Sequence, residues 1–150
     1  MHNNEYGEIF STLPRIIIFK TLPVYDGKSQ TQFSILSMTI HQGGVAMQFT
    51  SFLDSGHLTV ALTGEIDHHC AKNYIHAIAG KIEAYTPEVC ILDFRDVTFV
   101  DSSGIAVVIN ALRCMAQIEG KLMLTGICEQ PMRVFRASGI DKLVEIKEAV

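Results

Sequence analysis

The polar chemistry of this chain is concentrated in two short runs. The first is Asp101-Ser102-Ser103-Gly104, between an apolar stretch and a helical pattern. Asp and Ser suit a helix start, because their side-chain oxygens accept from N–H groups that have no partner within the helix. Capping uses one or two of the three polar residues and does not explain two serines in a row. A serine hydroxyl at the open end of a helix is exposed, in backbone surroundings that favour an anion. It can carry a phosphate without breaking the helix. On local chemistry alone, a cap and a modified or reactive serine both stand.

The second run is Gly64-Glu65-Ile66-Asp67-His68-His69-Cys70. As a metal site it is poor. Adjacent histidines on a helix point in different directions, and no distant motif completes four ligands. The better reading makes Asp67 an N-cap with His68 and His69 in the first turn, serving recognition. Asp67, His68 and Ser103 supply the residue types of a hydrolytic triad. The serine is not in a Gly-x-Ser-x-Gly elbow, however, and triads are defined by geometry. Gly43-Gly44 and Gly104 build no phosphate cradle. The chain is therefore expected to be no enzyme and to need no metal or cofactor.

The elements that would position these runs are readable from residue 46 onward. Residues 49–53 and 57–63 predict two strands around an Asp54-Ser55-Gly56 turn. Tyr74, Ile75, Ile78, Ile82 and Tyr85 mark one face of a helix over about 68–85, with Pro87 just past its end. Residues 89–94 read as a buried strand, followed by a turn through Arg95 and Asp96 and a second apolar piece, 97–100. A helix then runs to about Glu119. One of its faces carries Ile105, Val108, Ile109, Leu112 and Ala116, and a second carries Val107, Ala111, Cys114 and Ile118. Two apolar faces suggest one for the core and one for a partner. Gly120 reads as a left-handed cap. Residues 122–124 form a strand, Pro131 opens a short helix closed by Gly139, and residues 143–146 add a last strand. The order ββαβαβαβ means crossover connections and an α/β fold: a mixed, mostly parallel sheet packed against helices, antiparallel at its N-terminal edge. Both polar runs then fall in loops at the carboxyl ends of strands, where such sheets commonly bind.

Composition narrows the partners. Of 150 residues, 48% are apolar and 19% charged, with a net charge of −4 and no Trp. That is one domain with a real core, and not a disordered chain. No concentrated basic face argues for nucleic acid. No apolar stretch reaches the roughly 18 residues of a membrane span, and no secretory signal opens the chain. The expected compartment is the reducing cytoplasm, with Cys70, Cys90, Cys114 and Cys128 as buried or half-buried thiols. Residues 1–45 differ: they are electrically neutral, lack clean periodicity, and are broken by Pro14 and Pro23. Their apolar pieces, 15–20 and 33–40, read as short strands or nothing stable. The domain boundary is placed between an extension, 1–45, and a domain, 46–150. Gln42-Gly43-Gly44-Val45-Ala46 is what a purine-rich ribosome-binding sequence before Met47 would encode if read through. The extension is thus expected to lie outside the natural product and to be loosely packed or appended at an edge.

Residues 89–146 resemble the sulfate-transporter and anti-sigma-factor-antagonist (STAS) domain. The residues that carry the likeness are Ile91-Leu92-Asp93-Phe94, the run from Val97 to Gly104, Gly120-Lys121-Leu122, and Val134-Phe135 with Ser138-Gly139. The run from Gly64 to His69 is similar to the Gly-Glu-Leu-Asp-His-His loop of sporulation-type antagonists of the anti-sigma-F factor, with Ile66 in place of Leu. Cys70 then stands where that family has a small polar residue. Residues 1–45 match nothing in the family. The resemblance implies a STAS fold and a binding module whose partner is an anti-sigma factor that is also a serine kinase. Binding frees a sigma factor. The kinase phosphorylates the second serine, here Ser103, and a serine phosphatase restores it. The implied contact surface comprises Glu65, Asp67 and His68 in one loop, Asp101, Ser102 and Gly104 around the phosphosite, and Val107 on the helix. The alternative is a STAS-type sensor of a small ligand or nucleotide with no sigma-factor role.

Overall fold

The computed structural model describes residues 16–20, 36–42 and 45–148, with side chains from Phe49 onward. Seven strands form one sheet in chain order. They are β1 (Ile16–Lys20), β2 (Leu36–Gln42), β3 (Val45–Asp54), β4 (His57–Ile66), β5 (Val89–Val100), β6 (Lys121–Thr125) and β7 (Glu145–Lys147). The first four are antiparallel neighbours; β4 to β7 are parallel. Helices α1 (Ala71–Tyr85), α2 (Ser102–Gln117) and α3 (Glu129–Ser138) make the crossovers, and a short 3₁₀ turn, Ile140–Lys142, precedes β7. From β3 onward the order is the expected ββαβαβαβ. Two short strands do form in the first 45 residues, and they extend the sheet beyond β3. The remaining residues of that stretch lie outside those described.

Local sequence explains the geometry. Ser55 and Gly56 both take positive φ, 48° and 80°, as a two-residue hairpin between right-twisted strands requires. Leu58, Val60 and Leu62 of β4 pair with or flank Cys90 and Leu92 of β5, and all five are buried. Tyr74, Ile78 and Ile82 of α1 and Val107, Val108, Ala111 and Met115 of α2 pack in the same core. Phe94 meets Phe135 of α3 edge-on at 5.4 Å between centroids.

Several details correct the sequence reading. The expected turn at Arg95 and Asp96 is not a turn, since β5 runs unbroken through it. The register against β4 instead slips twice, between Ala61 and Thr63 and between Gly64 and Glu65, with β5 gaining a residue each time. Such bulges bend a strand without ending it. Buried Asp93 accepts from the Arg95 guanidinium there, Nε lying 2.9 Å from Oδ2. Helix α1 begins at Ala71, after a turn at residues 68–70, rather than at His68. Gly120 is not the left-handed residue; Glu119 is, at φ 58°. Gly120 answers to space, because a Cβ there would lie 2.4 Å from Met115 Cε and 3.0 Å from the Pro87 carbonyl oxygen. Cys70 and Cys90 are buried and Cys114 half-buried, but Cys128 is exposed. Burial, helped by nearby Cys114, pushes the Cys90 thiol up to about 12, which leaves it protonated at neutral pH.

Candidate functional site

The loops after β4 and β5 meet at the carboxyl edge of the sheet. The Asp101 N–H donates to the Ile66 carbonyl at 3.2 Å, tying the end of β5 to the end of β4. Asp101 Oδ2 then faces His68 Nδ1 at 4.0 Å. The two polar runs are therefore one surface. Glu65 and His68 are exposed on it and Asp67 is half-buried.

Each loop is held by its own aspartate. Asp67 Oδ1 accepts from the amides of His69, at 2.9 Å, and Cys70, at 3.2 Å. Partial burial raises the Asp67 pKa, but those two amides, the Cys70 thiol and the His69 charge outweigh it, and the net shift is downward. The Cys70 thiol donates back to the Glu65 carbonyl at 3.2 Å. Asp67 thus caps the turn leading into α1. The two histidine rings do not diverge: they lie 3.8 Å apart between centroids, tilted 39°. They sit in a turn rather than a helix, so neighbouring side chains can come together. His68 faces Asp101, not Asp67, and Asp67 is engaged with backbone amides, which is not the relay a triad needs.

At α2 the cap is Asp101, whose Oδ1 accepts from the Ser103 N–H at 2.7 Å. Among the described residues neither Ser102 nor Ser103 has a side-chain hydrogen bond. Ser102 is exposed and Ser103 half-buried. One carboxylate does the capping, and both hydroxyls are left over for other chemistry.

Gly104 and Val107 are not surface contacts. Both are buried, Val107 at 1% exposure. A Cβ on Gly104 would lie 2.2 Å from Val100 Cγ1, so the glycine lets the first turn of α2 sit directly on β5. Val107 points from the same side of the helix into the core. The second apolar face is also largely taken up within the molecule. Cys114 and Ile118 line a groove of about 330 Å³ against Ala79, Ile82 and Glu83 of α1. That groove lies at the C-terminal ends of both helices, away from the loops. The outward stripe of α2 is instead Ser102, Ala106 and Arg113, which are exposed, with Ile109 and Asn110 half-exposed between them.

One contributor is not visible in the sequence. The side-chain amide of Gln130, on α3, bonds both backbone groups of Val100. Its Oε1 accepts from the Val100 N–H at 2.9 Å, and its Nε2 donates to the Val100 carbonyl at 3.0 Å. No spacing rule links residues thirty positions apart on different elements.

The sequence resemblance points to a STAS domain, and this mixed sheet, parallel from β4 to β7 with helical crossovers, is of the α/β kind that the resemblance implies. The profile of that domain matches residues 53–150, and the chain belongs to the STAS family. It is similar to the anti-sigma-B factor antagonist of Listeria monocytogenes, 29% identical over 97 residues, covering 63% of this chain and 82% of the relative. It is also similar to the anti-sigma F factor antagonist of Lysinibacillus sphaericus, 28% identical over 83 residues, covering 55% of this chain and 71% of the relative. Among solved structures, the anti-sigma factor antagonist SpoIIAA in its unphosphorylated form shares the fold, with a TM-score of 0.61 at 24% identity, over 68% of this chain and 88% of that one. The Bacillus cell fate determinant SpoIIAA in the phosphorylated form aligns with a TM-score of 0.56 at 25% identity, over 70% of this chain and 92% of that one. Among the described residues no helix is long and apolar enough to cross a membrane.

Proposed function

We propose that this chain is a cytoplasmic anti-sigma factor antagonist switched by phosphorylation of Ser103. It binds an anti-sigma factor that is also a serine kinase and so frees a sigma factor. The observation that carries this reading is the uncommitted serine pair. Asp101 meets the helix's need for a cap and also faces His68, and among the described residues the Ser103 hydroxyl makes no hydrogen bond. The run from Gly64 to His69 favours the anti-sigma-F type of partner.

In the transfer, Ser103 Oγ attacks the γ-phosphorus of ATP held by the kinase. The new Oγ–P bond forms as the bond to the β,γ-bridging oxygen breaks. ADP leaves, and the hydroxyl proton passes to a base of the kinase. The product adds about −1.5 to −2 charge at neutral pH. The first turn of a helix tolerates that charge, so the fold survives. The contact does not, because Asp101, Glu65 and Asp67 already make this edge acidic, and the Ser103 amide is engaged by Asp101. A partner surface arranged for a hydroxyl is then repelled. A serine phosphatase reverses the step by hydrolysis. Glu65, Asp67, His68, Asp101 and Ser102 form the contact edge. Gly104 and Val107 support it from beneath.

Mass spectrometry after incubation with the anti-sigma factor kinase and ATP tests the reading. One phosphate on Ser103, absent in Ser103→Ala, is expected. Equal incorporation into Ser103→Ala refutes the assignment.

A further inference from the structure

We infer that Gln130 is a positioning residue for Ser103, a role that rests on the phosphoswitch proposed above. The pairing of β5 with β6 ends at Asp93 and Thr125. Residues 94–100 therefore continue to the phosphosite with no strand on that side among the described residues. At their last residue the Gln130 amide takes the place a strand would have held. It bonds Val100 through both N–H and carbonyl, as a paired strand residue does, and only one orientation of the amide satisfies both. On the opposite side the next amide, Asp101 N–H, is held by Ile66. The backbone at residues 100–101 is thus gripped from both flanks, and Asp101 in turn fixes the Ser103 amide at 2.7 Å. The start of α3 is anchored at a second point, where the Cys128 thiol donates to the Arg95 carbonyl at 3.6 Å. The grip on Val100 therefore comes from an element already fastened to β5. Val100 is fully buried and Gln130 half-buried.

The grip sets where the Ser103 hydroxyl stands when ATP approaches, which is a matter of reaction geometry rather than affinity. Gln130→Met keeps length and bulk and removes both bonds. Gln130→Glu keeps the acceptor for the Val100 N–H and loses the donor. The kinase is defined as the anti-sigma factor kinase that labels Ser103 of the wild-type chain from radiolabelled ATP. For Gln130→Met, kcat for labelling should fall about tenfold or more, as small misplacements at a reacting centre do. KM for the chain should stay unchanged. Gln130→Glu should lower kcat as well, which decides the matter if Gln130→Met does not fold. In the isolated chain, amide hydrogen exchange at Ser103 should speed up while exchange at Leu92 does not. Unchanged kcat in both variants, or exchange rising equally at Ser103 and Leu92, overturns the inference. Failure of any kinase to label Ser103 in the wild type would instead overturn the phosphoswitch, and the exchange result would still judge the grip.

Discussion

Gly104→Ala should be costly out of proportion to its size, and the cost should depend on Val100. A methyl at residue 104 would lie 2.2 Å from Val100 Cγ1, with Val100 Cβ at 3.4 Å and Ile66 Cγ2 at 3.6 Å. Carbon atoms rest about 3.5–4.0 Å apart, so the overlap exceeds about 1 Å. Val100 cannot easily swing away, since it is β-branched and fully buried. The first turn of α2 must lift, at the cost of about 1–3 kcal/mol typical of overpacking. Val100→Ala alone removes two methyl carbons and leaves a small cavity, also about 2–3 kcal/mol. In the double variant the methyl added at residue 104 enters the space that Cγ1 vacates. The pair should then be about 1–2 kcal/mol more stable than the two losses taken separately. Urea unfolding of the four proteins, with m-values compared, measures this. Losses that add within about 0.5 kcal/mol would refute the claim that Gly104 exists to seat α2 on Val100.

Asp101→Ala should cost about 1 kcal/mol through loss of the α2 cap, whereas Ser102→Ala and Ser103→Ala should stay within about 0.5 kcal/mol of wild type; thermal melts separate them. The Asp67 pKa is depressed in the folded chain below the ordinary 3.8, so its stabilising contribution is present above that value and is lost as pH falls through the folded pKa. The stability gap between wild type and Asp67→Asn should accordingly be widest above about pH 4 and close in stronger acid, as denaturation at several pH values will record. A chain beginning at Met47 should fold with nearly unchanged stability, because it keeps β3 to β7, the three helices and a shared core that runs from Phe49 to Val144. That truncation uncovers the edge of β3, so light scattering should detect more self-association.

Much of the architecture is legible in the sequence because its signals are local. The apolar spacing from Tyr74 to Ile82 marks α1, the short apolar run from Val89 marks β5, and Gly139, at φ 80°, closes α3 as expected. What the sequence obscures depends on contacts between distant elements. Arg95-Asp96 looks like a turn, but a bulge against β4 and the Asp93–Arg95 pair keep the strand intact. Val107 reads as a contact residue because α2 is apolar on two sides, and apolarity does not say which side meets α1. Gly104 is visible only as part of a motif, and its physical reason lies four residues back, in Val100. The two serines and Asp101 could all cap in principle; only the folded chain shows the carboxylate doing so, with no hydrogen bond to either hydroxyl among the described residues.

Phosphate on Ser103 should turn a binding edge off. The most direct test is the affinity of the anti-sigma factor for the unphosphorylated chain and for the chain stoichiometrically phosphorylated on Ser103, compared by calorimetry at one ionic strength. Stable binding of the first is expected, and binding of the second weaker by on the order of a hundredfold or more, as like charges brought together in a contact require. Equal affinity of the two forms would contradict the switch.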